Sequence, residues 1–134
     1  MDRLNERLSI ARQALRTLLE VLAETKTRIV RDATIQRFEY TFEAVWKAAQ
    51  EYLRAAEGLD TGSPKSAIRD SFQVGLLGEA QVRTALRMAD DRNLTVHTYN
   101  EALADAIYSR IEEYAGLMDS WLGAMEGRVG GEEQ

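Results

Sequence analysis

One stretch of the chain combines residue types that could act on a phosphate. In the run Asp-Asp-Arg-Asn-Leu-Thr-Val-His-Thr-Tyr-Asn-Glu, Arg92 precedes the only histidine, His97, by five positions, and Tyr99 follows two positions later. A guanidinium can clamp a phosphate with two hydrogen bonds, and an imidazole can move a proton near neutral pH. RNA could be cleaved here without a metal if His97 moved a proton while Arg92 stabilised the charge of a phosphorane-like transition state.

A purely structural interpretation of the same stretch stays open. Arg92 could pair with Asp90 or Asp91, His97 could be an ordinary residue before a helix cap, and Tyr99 could simply pack its ring. Spacing alone favours this interpretation, because such residues occur together on many helical surfaces.

A second group of charged residues shares one face of a predicted helix. Glu39, Glu43 and Lys47 are each four positions apart, which predicts a ladder of ion pairs on that face. The same residues could instead orient the Arg92 motif, and Asn93 is a further supporting candidate. With one His and no Cys, a multi-histidine or thiolate metal site within one chain is excluded, and no nucleotide-binding fingerprint is present. No metal and no cofactor are predicted.

The elements that must position these residues are helices. Apolar residues recur every three or four positions throughout the chain, which predicts an all-α protein. The first apolar stripe includes Leu18, Leu19 and Leu22. Predicted helices cover about residues 2–24, 28–57, 64–74 and 79–91, and the last begins at a capping box of Thr98 and Glu101. We expect an antiparallel up-and-down bundle of four-helix type with short additional helices. Residues 1–126 form one domain, and residues 127–134, rich in glycine, form a flexible tail.

The composition limits the class of protein. The chain has 134 residues, of which 45% are hydrophobic, and this suits one domain with its own core. No stretch approaches the ~20 apolar residues of a membrane span, and the charged start is unlike a signal peptide, so we expect a cytoplasmic protein. The net charge of −5 disfavours a broad basic surface for nucleic acid. Residues 1–47, however, hold nine basic and seven acidic side chains, so a polyanion would meet this N-terminal portion or a local cluster of arginines first.

Several separated motifs resemble the nucleotidyltransferase substrate-binding protein family, a branch of the HEPN superfamily (higher eukaryote and prokaryote nucleotide-binding). The resemblance covers about residues 28–115 in the family's order. It is carried by Arg31-Asp32-Ala33-Thr34-Ile35-Gln36-Arg37-Phe38-Glu39-Tyr40-Thr41-Phe42-Glu43 with Trp46-Lys47, by Ser63-Pro64 and Ile68-Arg69, by the run from Asp91 to Glu101, and by Ile107-Tyr108 with Arg110-Ile111.

This resemblance implies a HEPN-like helical bundle, commonly a homodimer, that associates with a minimal nucleotidyltransferase. In the superfamily, R-x-x-x-x-H is a ribonuclease motif, and Arg92 and His97 match it. Related toxin–antitoxin pairs add H-x-Y, which makes Tyr99 the acceptor when the partner transfers AMP and silences the toxin. The expected function is therefore a metal-independent endoribonuclease toxin acting at a dimer cleft. The alternative is a non-catalytic subunit that binds a nucleotide or substrate, and the residues leave open whether the chain is an enzyme.

Overall fold

The computed structural model describes residues 2–132 of the chain. These residues contain five α-helices and one 3-10 turn, joined by short loops. No strand occurs among these residues, so the all-α prediction is confirmed. The elements are α1 (Asp2–Leu22), α2 (Arg28–Glu57), α3 (Pro64–Gln73), α4 (Glu79–Leu94), the 3-10 turn (Thr95–His97) and α5 (Glu101–Glu132).

Side-chain contacts between helices show how the bundle is arranged. Thr41 of α2 donates to the carbonyl of Ala14, whereas Arg37 donates to that of Thr17, so α1 and α2 run antiparallel. Helix α4 runs antiparallel to α5 in the same way, because Arg87 bonds to Glu113 while the later Asp91 bonds to the earlier Arg110. Helices α1, α2, α4 and α5 therefore form the expected up-and-down bundle, and α3 is the short additional helix.

The core lies between these helices and is closed by large apolar side chains. Its largest fully buried members include Phe38, Phe42, Tyr52, Tyr114 and Trp121. On α1 the buried stripe contains Leu18 and Val21, whereas Leu19, predicted to be part of it, is about half exposed. The buried face of α1 is thus rotated slightly from the predicted one near its end.

Local capping chemistry explains where the middle helices begin and end. Thr27 caps α2 by accepting a hydrogen bond from the amide of Val30, and Gly58 ends the helix in the left-handed region at φ 69°. Ser63 caps α3 in front of Pro64, as the sequence predicts. None of the helices within residues 2–132 is long and apolar enough to cross a membrane.

Two helix ends differ from the sequence-based expectation. Helix α4 continues to Leu94, so Arg92 lies in its last turn rather than in a loop. The start of α5 is capped by Asn100, whose side chain accepts from the amide of Leu103, while Thr98 donates to the carbonyl of Thr95. The predicted capping box at Thr98 is therefore wrong.

The C-terminal residues are helical where a flexible tail is expected. Helix α5 continues through its glycines to Glu132, and Val129 is buried in the core. Burial of Val129 stabilises a helix that glycine propensity alone disfavours. Residues 133 and 134 of the predicted tail lie outside the described residues.

Candidate functional site

Arg92 points from the last turn of α4 towards α2. One terminal nitrogen of its guanidinium lies 3.8 Å from a carboxylate oxygen of Glu43, and 35% of the side chain is exposed. Its Nε is buried and has no hydrogen-bond partner among the described residues. The guanidinium is thus held on one side by Glu43, and its exposed part, rather than the buried Nε, is what an anion could reach.

Glu43 is the residue that links Arg92 to the second helix. It accepts a hydrogen bond from the indole of Trp46 at 3.0 Å and pairs with Lys47 at 3.2 Å. Burial raises the pKa of Glu43, but Trp46, Lys47 and Arg92 together lower it below its ordinary value. A carboxylate that stays ionised in this way fixes the position of the Arg92 charge.

Asp91 anchors the last turn of α4 against α5. Its carboxylate is buried and accepts two hydrogen bonds from Arg110, at 2.7 and 2.9 Å, and one from the hydroxyl of Tyr114. Burial, followed by the contact with Asp91, raises the pKa of Tyr114 to about 12. With Asp91 committed to α5 in this way, the neighbouring side chain of Arg92 faces α2.

The structural interpretation of Arg92 given above is therefore wrong about its partner. Asp91 pairs with Arg110, and Asp90 pairs with Lys65 at 2.6 Å. Neither aspartate neutralises Arg92, whose carboxylate contact is with the more distant Glu43. Arg92 thus remains able to bind an anion, although the sequence places two aspartates directly before it.

His97 and Tyr99 lie together just beyond α4. The Tyr99 hydroxyl is 3.4 Å from Nδ1 of His97, and the two rings meet edge to face with centroids 5.9 Å apart. Both side chains are accessible, Tyr99 at 82%. The 3-10 turn that carries His97 is held by Thr95, whose hydroxyl donates to the carbonyl of Arg92 at 2.7 Å. This short turn carries the chain directly from the arginine to the histidine.

Arg31 ties the start of α2 to the start of α5, next to Tyr99. Its guanidinium is buried and contacts Glu101 at 2.7 Å and Asp105 at 3.1 Å, besides its neighbour Asp32. Hydrogen bonds from Arg31 lower the pKa of Glu101, and those from Lys26 and then Arg31 lower the pKa of Asp105. This cluster fixes where α5 begins and hence where the segment with Tyr99 lies.

Two clefts flank the motif. One, of about 350 Å³, is lined by Tyr99 and Glu39 together with Asp32, Ile35, Gln36 and Thr98. The other, of about 330 Å³, is lined by Asn93 together with Phe42, Ser63, Pro64, Lys65 and Ala89. Glu39 thus belongs with Tyr99, and Asn93 lines a separate cleft.

The predicted site residues therefore form two groups. Glu43, Lys47 and Arg92 make one continuous set of charged contacts, and His97 contacts Tyr99 in the other. The predicted ladder is confirmed between Glu43 and Lys47, whereas Glu39 forms no ion pair within residues 2–132. No hydrogen bond joins Arg92 to His97 in the same part of the chain.

Sequence reasoning missed the residues that hold this arrangement. Arg31, Asp91 and Arg110 lie in the motifs quoted above, but nothing in their spacing shows that they meet across helices. A signal was present for Asp91, because a carboxylate on the apolar side of a helix needs a buried partner. Its partner, Arg110, is nineteen positions away on another helix.

The fold and the site together define a class of protein: a helical bundle that carries an Arg and a His near one end. The family model described as "Nucleotidyltransferase substrate binding protein like" matches residues 6–127. The chain belongs to this family, which confirms the resemblance found in its motifs.

Individual relatives are similar over different lengths. A Haemophilus influenzae protein named "Probable ribonuclease HepT" is 33% identical over 84 residues, which is 60% of this chain and 56% of that protein. The chain thus matches little more than half the length of this curated relative. A crystal structure of a protein from Thermus thermophilus is 56% identical, covers 86% of this chain and 98% of its own, and has a TM-score of 0.83.

A more distant structure shares the fold. It is described as a tri-AMPylated Shewanella oneidensis HEPN toxin in complex with MNT antitoxin. It is 14% identical, covers 95% of this chain and 98% of its own, and has a TM-score of 0.76. At this identity the likeness shows that both chains share the same helical fold and nothing more.

Proposed function

We propose that this chain is the toxin of a toxin–antitoxin pair, a metal-independent endoribonuclease that partners a minimal nucleotidyltransferase. The observation that carries the proposal is the partly exposed guanidinium of Arg92, with only one loose carboxylate contact, beside a turn that exposes His97 and Tyr99. Membership of the nucleotidyltransferase substrate-binding family supports the partner, and the name of the Haemophilus influenzae relative supports the activity.

The proposed cleavage uses the ribose hydroxyl next to the scissile phosphate. The 2′ oxygen bonds to phosphorus, the bond from phosphorus to the 5′ oxygen breaks, and Arg92 stabilises the charge on the phosphate oxygens. One imidazole takes the proton of the 2′ hydroxyl, and another gives a proton to the leaving 5′ oxygen. Because one chain has a single histidine, two copies that face each other supply the pair as His97 and the partner's His97.

Exposed apolar side chains support such a dimer. Leu94 and Val96 lie at the start of the segment that carries His97, and 70% of Val96 is exposed. A contiguous patch of exposed apolar side chains marks many interfaces between subunits, and we propose that Leu94 and Val96 contribute to such a patch. A homodimer that covers Val96 would bring two Arg92 and two His97 side chains to one cleft.

Silencing is proposed at Tyr99. The Tyr99 oxygen attacks the α-phosphorus of ATP held by the nucleotidyltransferase, the bond to pyrophosphate breaks, and Nδ1 of His97 accepts the phenolic proton across 3.4 Å. The product is a phosphodiester anion beside His97. It would repel an RNA phosphate and fill the space in front of the motif.

The cleavage experiment compares the wild type with single variants in EDTA. We expect RNA to be cleaved by the wild type and the rate to fall at least about a hundredfold in His97→Ala and in Arg92→Ala. Cleavage by the wild type no faster than by His97→Ala would contradict the proposal.

The silencing experiment coexpresses the chain with its nucleotidyltransferase and measures the mass of the Tyr99 peptide. We expect an added AMP and relief of growth arrest. Tyr99→Phe should arrest growth but resist silencing, and Tyr40→Phe, which changes another exposed tyrosine, should behave as the wild type does. Silencing of Tyr99→Phe would show that Tyr99 is not the acceptor.

A non-catalytic subunit that binds a nucleotide is the second candidate. The cleft of about 350 Å³ between Tyr99 and Glu39 favours it, because this volume suits a small molecule. Calorimetry with nucleotides, with and without the nucleotidyltransferase, tests this function. Binding without any RNA cleavage would select it over the toxin.

A further inference from the structure

A basic cleft lies towards the opposite end of α2 from Tyr99. It has a volume of about 400 Å³ and lies between the start of α1, the C-terminal half of α2 and the loop that follows. Its charged lining consists of Arg3, Arg7, Lys47 and Arg54 with the carboxylates of Glu51 and Asp60, and its polar lining of Gln50, Thr61 and Gly62. The cleft is thus cationic, although the whole chain is anionic.

Part of this positive charge is left without a partner. Arg54 is engaged by Glu51, to which its Nε donates at 3.0 Å, and Lys47 pairs with Glu43. Arg3 and Arg7 form no ion pair within residues 2–132. Their charges lie near Glu51, whose pKa is lowered by Arg54 first and, against the effect of burial, by Arg3 and Arg7 too. These two arginines remain available to an anionic ligand.

The basic cleft is linked to the Arg92 site through one shared ion-pair partner, Glu43. The carboxylate of Glu43 contacts both Arg92 and Lys47, and Lys47 lines the cleft. Arg54 lies three helical turns, about 16 Å, beyond Glu43 along α2. A ligand with repeated negative charges could therefore contact both places along one face of the molecule.

We propose that the basic cleft holds the phosphate backbone of the RNA strand whose scissile phosphate lies at Arg92. The inference rests on the proposed function and adds a binding subsite to it. A cationic groove without aromatic side chains follows a strand through its phosphates and does not select bases. The cleft is concave, which suits a single strand better than the flat surface of a folded acidic protein.

The experiment measures binding of a short unstructured RNA by the full chain in the His97→Ala background, where cleavage does not interfere. The test variant is Arg3→Gln with Arg7→Gln. The control is Arg16→Gln with Arg83→Gln, which removes the same charge from positions outside the cleft. Circular dichroism is the check that both double variants are folded.

We expect the Kd of the test variant to rise about tenfold, and the control to change it less than about twofold. The slope of log Kd against log salt should fall by about 1.4 in the test variant, since each phosphate contact on a single strand contributes about 0.7. Equal effects in the two double variants would overturn the proposal, as would an RNA affinity that is absent in the starting protein.

The result separates this inference from the proposed function. If RNA binding depends on Arg3 and Arg7 but the wild type does not cleave RNA, the binding subsite is supported and the nuclease activity is rejected. If the wild type cleaves RNA but replacing these arginines does not change the RNA affinity, the nuclease activity is supported and the subsite is rejected. Loss of nucleotidyltransferase binding with unchanged RNA affinity would assign the basic cleft to the protein partner and overturn the subsite.

Discussion

Binding a phosphate would place two requirements on the Arg92 guanidinium. The guanidinium needs a fixed position, which the carboxylate of Glu43 supplies at 3.8 Å, and it needs donors left over for a phosphate. A carboxylate at full contact distance on both terminal nitrogens would satisfy the first requirement and defeat the second. The single loose contact with Glu43 reconciles the two.

Glu43→Gln tests whether this contact positions Arg92. Removing the charge leaves the side chain its size but releases Arg92, and we expect RNA cleavage to fall about tenfold in kcat with little change in KM. The measurement is steady-state cleavage of a labelled RNA. Glu39→Gln is the control, because Glu39 lines the Tyr99 cleft without an ion pair in the described residues. A wild-type kcat in Glu43→Gln would assign this residue only to the ion pair with Lys47.

At the scale of the elements, a buried carboxylate decides the orientation of α4. Asp91 and Asp90 are neighbours, yet one is buried against Arg110 and the other exposed with Lys65. A buried carboxylate whose hydrogen bonds are complete holds its helix in one rotation about its axis. The direction in which Arg92 points therefore depends on Asp91.

Asp91→Asn and Asp90→Asn form a matched pair for urea unfolding. We expect Asp91→Asn to lower the free energy of unfolding by about 2 kcal/mol, because the Arg110 charge loses its partner at a buried contact. Asp90→Asn removes an exposed ion pair and should cost less than about 1 kcal/mol. Equal costs would mean that the Asp91 cluster does not hold α4.

The Arg31 cluster predicts how stability depends on pH. The pKa values of Glu101 and Asp105 are lowered in the folded chain, so their pairing stabilises it above their ordinary values of 4.5 and 3.8. This contribution is lost as the pH falls through the lowered values. We expect Tm to decline with acid in the wild type, and to decline less steeply in Arg31→Gln. Parallel curves of Tm against pH would contradict the assignment.

Across the molecule, basic side chains are concentrated in one region instead of being evenly distributed among the acidic ones. A chain with a net charge of −5 carries a basic cleft at one end of α2 and the Arg92 motif along the same helix. Such a distribution would favour contact of a polyanion with the basic cleft over contact with the acidic parts of the surface. The overall charge therefore limits where RNA can bind without excluding it.

We predict that two copies of the chain form a dimer through a surface that includes the exposed side chain of Val96. Val96→Glu would place a charge at the proposed interface, so we expect a dimer to become a monomer and RNA cleavage to be lost with it. Sedimentation and the cleavage assay measure the two effects. Phe72→Glu is the control, since Phe72 is an exposed apolar residue on α3, outside the motif. A dimeric but inactive Val96→Glu would show that Val96 acts at the motif and not between subunits.

Much of this protein could be predicted from local patterns in its sequence. Periodic apolar residues predict the helices, Gly58 and Ser63 mark helix ends correctly, and the spacing of Arg92 and His97 matches the motif that the family resemblance implies. These features depend on residues close together along the chain, where spacing alone determines which side chains share a face. The end of α4 at Leu94 and the start of α5 after Asn100 differ from the prediction, because packing and a competing cap determine them.

Which charges meet depends on the packing of the helices. Arg92 contacts Glu43 instead of its neighbours, Asp91 pairs with Arg110, and Arg31 reaches Glu101 across seventy positions of the chain. Many carboxylates and arginines satisfy the same local rules, and only the relative placement of α2, α4 and α5 selects among them. The types and spacing of the residues are enough to name candidates for phosphate chemistry, and the family resemblance singles out Arg92 and His97 among them. Contacts between distant helices select which of them are held, which are neutralised and which remain free, because those interactions act through space and not along the chain.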